Sequence, residues 1–196
     1  MHVEALKPQD VFVACQLALV GQENATHEWL SKKLHLSLST VFEAIKRCRQ
    51  AKLVVGPDKK AEVVKSKLFD FLVHAVPVLY YQIKVAPVRG IPTAVFSPIF
   101  RDRFTKPGDL VTVWPYSKGK EQGEGLLPIY PTVPIACSQS QPLYQLMSAV
   151  DVLRVGKVRE REASIVFLKD LLSLSNLPKN TQASLFENKQ HEGLVP

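Results

Sequence analysis

The 196-residue sequence predicts an α+β fold, mainly helical: an N-terminal helical unit with a short hairpin, then a proline-rich region of short strands, then a C-terminal helix pair. Three observations predict it. Apolar residues recur at helical spacing over residues 8–51 and again over residues 142–172. Two β-branched pieces, 52–55 and 62–64, flank the turn Gly56-Pro57-Asp58-Lys59-Lys60. Most of the 14 prolines fall in residues 77–141, a density that breaks regular structure into short strands and ordered loops.

The first helix is expected over residues 8–21. Pro8 suits a first turn, Val11, Ala14, Cys15 and Ala18 keep helical spacing, and Gly21 offers a C-terminal stop. A short second helix fits residues 26–34, with Asn24 or Thr26 as its cap. His35-Leu36 then turns the chain into Ser37, which caps a third helix reaching about Ala51. After the hairpin, Leu68, Phe71, Leu72 and Ala75 share one face of a helix over residues 66–76, and Pro77 is expected to close it. Strand-like pieces follow at 79–85, 94–96, 110–114 and 125–127. Helices are expected at 142–154 and 158–172, broken at Gly156, and the chain beyond Leu174 is polar and aperiodic. These divisions give a unit at residues 1–76, a second at 77–173 and a tail at 174–196.

Composition narrows the function. Hydrophobic residues make up 46% and charged residues 22%, which is ordinary globular usage. No apolar run approaches the roughly 20 residues needed to cross a bilayer. The opening residues lack the order of a signal peptide, so a cytoplasmic protein is expected. Cys15, Cys48 and Cys137 form no CxxC, and the five histidines are scattered, so neither disulfide framework nor metal site is expected. The net charge of +7 is spread along the chain: residues 1–70 carry 11 Lys and Arg against 8 Asp and Glu, and residues 71–196 carry 14 against 10. Such an excess favours polyanionic partners, because each neutralised phosphate releases counterions.

The informative stretch is residues 25–55. Two short helices locked across a tight turn need apolar residues on their facing sides, and Trp29, Leu30, Leu34 and Leu36 supply the first half. Leu38, Val41, Ile45 and Cys48 follow as an inward stripe on the next helix. The opposite face is expected to present Ser39, Thr40, Phe42, Glu43, Lys46, Arg47 and Gln50. Hydroxyls near a helix N-terminus with cations further along suit a helix that reads the major groove between phosphate contacts. Lys59 and Lys60 at the hairpin turn could touch phosphate beside it.

With those residues in place, residues 10–65 resemble the winged helix-turn-helix regulators of the MarR and GntR type. The Ser-Leu-Ser-Thr-Val core at 37–41, Ala-Ile-Lys-Arg at 44–47 and the closing Leu-Val-Val at 53–55 carry the resemblance. It implies a non-enzymatic transcription regulator without a cofactor. The implied contacts to double-stranded DNA come from Ser37, Ser39, Thr40, Glu43, Lys46, Arg47, Lys59 and Lys60. The pattern departs at Leu38, where arginine is common, and at Phe42, which leaves fewer arginine contacts to guanine. A homodimer is expected, because one recognition helix spans few base pairs. The alternative is an antitoxin-like or adaptor module that binds a protein partner and its own operator. A third reading is an enzyme with a fused winged helix.

The remaining features read more plainly. Residues 80–106 interleave Lys84, Arg89, Arg101, Arg103 and Lys106 with aromatics, which suits either a phosphate-bearing ligand or a proline-rich loop with solvated charges. Leu143, Leu146, Met147, Val150 and Leu153 form a core or dimer stripe. Arg154, Lys157, Arg159 and Arg161 lie near Asp151, Glu160 and Glu162 and are expected to form solvated ion pairs. Ser97 and His74 are isolated polar residues with structural roles expected. No Walker loop, GxGxxG, GxSxG or HExxH motif occurs.

Overall fold

A computed structural model describes residues 4–20, 25–57 and 61–174. The fold is α+β and mainly helical. Helix α1 (Pro8–Leu19) starts with proline in its first turn, and the Lys7 amide donates to Asp10 Oδ2 at 2.8 Å. Every residue from Asp10 to Ala18 is buried, which makes α1 the central helix. It packs against α3 (Leu38–Gln50) and α8 (Gln141–Val155), with α2 (His27–Leu34) alongside. Gly21, the expected stop, lies outside the described residues.

Strands β1 (Val54–Val55) and β2 (Glu62–Val63) form an antiparallel hairpin, with Val54 opposite Val63. Next comes a helical run that the sequence would end at Pro77. It continues instead to Leu79, through α4 (Lys65–Asp70), a π turn (Phe71–Ala75) and α5 (Val76–Leu79). The π turn explains the difference. The Val76 amide donates five residues back to the Phe71 carbonyl, and this widening accommodates a proline ring that would collide with a regular helix.

The proline-rich region closes into a three-stranded barrel of β3 (Lys84–Pro92), β4 (Thr112–Pro115) and β5 (Glu121–Leu126). Strand β3 pairs antiparallel with both others, and β4 and β5 pair in parallel. The nine-residue β3 tolerates Pro87 because the register slips there, from Val85 opposite Gly125 to Val88 opposite Gly123, which leaves a bulge. Barrel closure this tight needs missing side chains: a Cβ at Gly90 would overlap the Trp114 carbonyl, and one at Gly119 would overlap the backbone of Gly90. Residues 94–96, expected as a strand, form a 3-10 turn with Ala94 at φ 52°. Short helices α6 (Arg101–Phe104) and α7 (Val133–Ser138) are additions that the apolar spacing does not predict. Pro134 falls in the first turn of α7, where proline starts a helix instead of breaking one.

Helices α8 and α9 (Val158–Leu171) form the C-terminal pair. Leu143, Leu146, Met147, Val150 and Leu153 are all buried in the core, and this assigns the stripe to the interior of the chain. That core cluster runs from α1 to α9, joining residues of both expected units. Arg154 and Asp151 depart from the solvated network expected for them, since both are buried. Arg154 donates to Asp151 Oδ1 at 2.6 Å and to the carbonyls of Tyr80, Tyr81 and Leu127. Asp151 also accepts from Thr93 Oγ1 at 2.9 Å and from Trp114 Nε1. One ion pair on α8 therefore fastens the barrel and the end of α5 to the helical core. Burial pushes the Asp151 carboxyl above its ordinary value, while Arg154, Thr93 and Trp114 oppose that shift by favouring the charged form.

Candidate nucleic-acid interface

The site is built on α2, α3 and the turn between them. Thr26 caps α2, its hydroxyl accepting from the Trp29 amide at 3.2 Å. His35 ends α2 in the left-handed region at φ 53°. Across the turn, Ser31 Oγ donates to the Leu36 carbonyl at 2.6 Å, and the Leu36 amide returns to the Ser31 carbonyl at 3.1 Å. Ser37 then caps α3, accepting from the Thr40 amide at 3.1 Å. The Ser37 hydroxyl lies 2.7 Å from that of Thr40 and 3.0 Å from that of Ser39. These three hydroxyls therefore share one network at the start of the helix.

The inward stripe of α3 is Val41, Ala44, Ile45 and Cys48, each almost fully buried. Leu38 departs from the expectation: it is 51% exposed. Its angle around the helix matches Ile45, yet it occupies the first helical position, past the end of the neighbours that cover the rest of the stripe. Phe42 is 46% exposed, and its ring meets the His27 imidazole edge-on, with centroids 5.8 Å apart.

Arg47 requires a second correction. The helical spacing puts it on the outer face, yet it is buried. Its Nε and one terminal nitrogen donate to the two carboxylate oxygens of Asp10 at 2.7 and 2.8 Å. The planar guanidinium matches a carboxylate in such a fork, and α1 holds this carboxylate fully buried in its first turn. The hydrogen bonding of Arg47 to Asp10 is the main cause that raises the Arg47 pKa above its ordinary value. Arg47 thus locks α3 to α1 and is withdrawn from any ligand. The signal was present in Asp10, an acid at the start of a helix whose following residues are apolar.

The other expected contacts lie as follows. Ser37 and Ser39 are exposed, and Thr40 and Glu43 are half-buried. Lys46 is exposed and 3.6 Å from Glu43, an ion pair in solvent that is worth little to stability. Lys59 and Lys60 lie outside the described residues. The outer face of α3 thus groups hydroxyls, two apolar side chains and the exposed Lys46.

Elsewhere, a cleft of about 340 Å³ lies between the barrel and the turn joining α8 to α9, lined by Lys84, Phe96, Phe104, Asp109 and Lys157 among others. Lys84 is paired with Glu124 at 2.8 Å, and Arg101 with Glu121 at 3.0 Å. Two cations of the basic, aromatic segment are therefore already matched by barrel acids. Ser97 is buried, its hydroxyl donating to the Ala94 carbonyl at 2.8 Å, a structural role. Among the described residues no group of three or more His, Cys, Asp or Glu could hold a metal ion. Nor is any helix among them long and apolar enough to cross a membrane. Compared with known proteins, the chain matches no family model, no curated protein and no solved structure.

Proposed function

We propose that this protein is a DNA-binding transcription regulator whose N-terminal unit works as a winged helix-turn-helix. Helix α3 enters the major groove, and the β1–β2 hairpin serves as the wing. The observation that supports this reading is the outer face of α3. A helix that is capped by Ser37 and locked to α1 through Arg47 and Asp10 leaves Leu38, Ser39, Phe42, Lys46 and Gln50 exposed. The net charge of +7 and the lysines at positions 59 and 60 supply attraction to phosphate. A homodimer would place two such helices about one helical turn of DNA apart, on a site with twofold symmetry.

Titration of fluorescently labelled duplex DNA over a range of salt tests the proposal. Binding should weaken steeply and linearly on logarithmic axes, with Lys46→Ala and the double change Lys59→Ala, Lys60→Ala each flattening the slope by roughly 0.9 for every phosphate left without its cation. A folded sample indifferent to duplex DNA at low salt would refute it. A second reading, an antitoxin-like or adaptor module, draws on a different observation. Val78, Leu79, Tyr81 and Ile83 expose apolar surface within six residues, at 74%, 58%, 68% and 48%. Patches of that kind suit a protein partner. Stable co-purification with one, insensitive to the lysine changes, would favour it.

A further inference from the structure

Resting on the DNA-binding reading, we infer that α3 recognises A·T base pairs through the C5-methyl groups of thymine, with Leu38 and Phe42 as the contacting side chains. These are the large apolar residues on a face that is otherwise polar, and each is about half exposed. They lie four residues apart, hence about 6 Å along the helix axis. Bases on one strand rise about 3.4 Å each, so the pair spans about two steps.

Part of the polar chemistry for reading base edges is withdrawn from this face. Arg47 is closed on Asp10, and the hydroxyls of Ser37, Ser39 and Thr40 are engaged with one another. What remains in the N-terminal half of the helix, the half that enters the groove, is apolar. In the major groove thymine is distinguished by its methyl group, which apolar side chains contact. Phe42 is also held in place for such a contact. The His27 ring that braces it has its Nε2 buried without a hydrogen-bond partner, so that histidine serves the aromatic contact by packing.

A protein partner would cover the same two residues, but the surrounding charge favours a polyanion. Lys32 and Lys33 are exposed in the last turn of α2, and Lys52 is exposed just after α3.

The test uses the full chain and two random-sequence duplex libraries that differ only in carrying thymine or deoxyuracil, that is, by one methyl group. Duplexes selected from the thymine library should be enriched in A·T at two neighbouring positions. Replacing each of those thymines with deoxyuracil should weaken binding about fourfold, and replacing both about fifteenfold. Leu38→Ala and Phe42→Ala should each lose the sensitivity to deoxyuracil at one of the two positions, and the double variant at both, with the salt slope of the parent chain retained. Equal binding of both libraries by the parent chain would overturn the inference while leaving DNA binding intact. So would a change of oligomeric state in the two variants with no change in uracil sensitivity, since a second protein chain would then occupy the pair. A chain that binds neither library at low salt would overturn the DNA reading itself, and this inference with it.

Discussion

Arg47 and Asp10 face each other as a fork and a carboxylate, joined at 2.7 and 2.8 Å and sealed from solvent between the last turn of α3 and the first turn of α1. Removing Arg47 leaves the Asp10 carboxylate as an uncompensated buried charge, whereas removing Asp10 leaves Arg47 its longer contacts to Glu4 at 3.6 Å and Glu43 at 3.9 Å. Arg47→Ala should therefore cost about 3–5 kcal/mol, and Asp10→Ala less. Lys46→Ala, one residue away and exposed, should change stability by no more than about 0.5 kcal/mol. Urea denaturation followed by circular dichroism measures all three. Weakened DNA binding in Arg47→Ala would then report a loosened fold and not a missing phosphate partner.

That pair also marks the limit of what the sequence reveals. The spacing of Val41, Ile45 and Cys48 gives the inward stripe of α3, and Ser37 gives its start, because both signals are local. Arg47 sits at the margin of the stripe, and only the position of Asp10, 37 residues earlier, decides that it turns inward. Leu38 errs in the opposite sense: periodicity describes an angle, and a residue at the end of a helix can have the right angle with nothing opposite it. Of the barrel strands only β4 was legible as an apolar piece. Strand β3 shares only residues 84 and 85 with the piece expected at 79–85, whose first residue ends α5, and β5 shares only residues 125 and 126 with the piece expected at 125–127. The closure was not legible, since the pairing of β4 with β5 depends on non-local register. Asp151 and Arg154, three residues apart, look like any exposed helical ion pair until Tyr80, Trp114 and Thr93 close over them.

The Asp151–Arg154 pair yields a double-mutant prediction. Arg154→Met strips the carboxylate of its cation and leaves the carbonyls of Tyr80 and Tyr81 without their donor, so a destabilisation of about 3–5 kcal/mol is expected. Asp151→Asn alone should also destabilise, because Arg154 then has no counter-charge. The combination should cost clearly less than the two single effects added together, with a coupling of about 1–3 kcal/mol. Additive effects, measured by denaturant titration of all four proteins, would contradict the coupling.

Gly90 tests the barrel. A methyl group there would overlap the Trp114 carbonyl, and both lie in paired backbone, so neither can move without breaking the ladder in which Gly90 opposes Pro115 and Glu121. Gly90→Ala should destabilise by at least about 1–3 kcal/mol, the usual cost of overpacking. Gly108→Ala meets no atoms, and its penalty comes from its φ of 94° alone, so it should disturb the loop without shifting the signal of the buried Trp114. Tryptophan fluorescence during thermal unfolding separates the two.

The three cysteines give a prediction about pH. Burial is the leading cause that raises the thiols of Cys15, Cys48 and Cys137, and it takes Cys48 from its ordinary value of 9.0 to about 12. The Asp10 charge reinforces the shift at Cys48, and Arg47 opposes it. Since the thiolate is the reactive form, iodoacetamide at pH 8 should leave the folded chain unlabelled and should label all three cysteines in guanidinium. The folded state prefers the neutral thiol, so this contribution to stability is complete below the ordinary thiol range. It is lost as pH rises from about 9 towards 12, where the unfolded chain ionises first. Stability measured at pH 8, 9.5 and 11 should therefore fall, and Cys48→Ala should fall less steeply than the parent chain. A parallel decline in the two proteins would place the alkaline sensitivity in other groups.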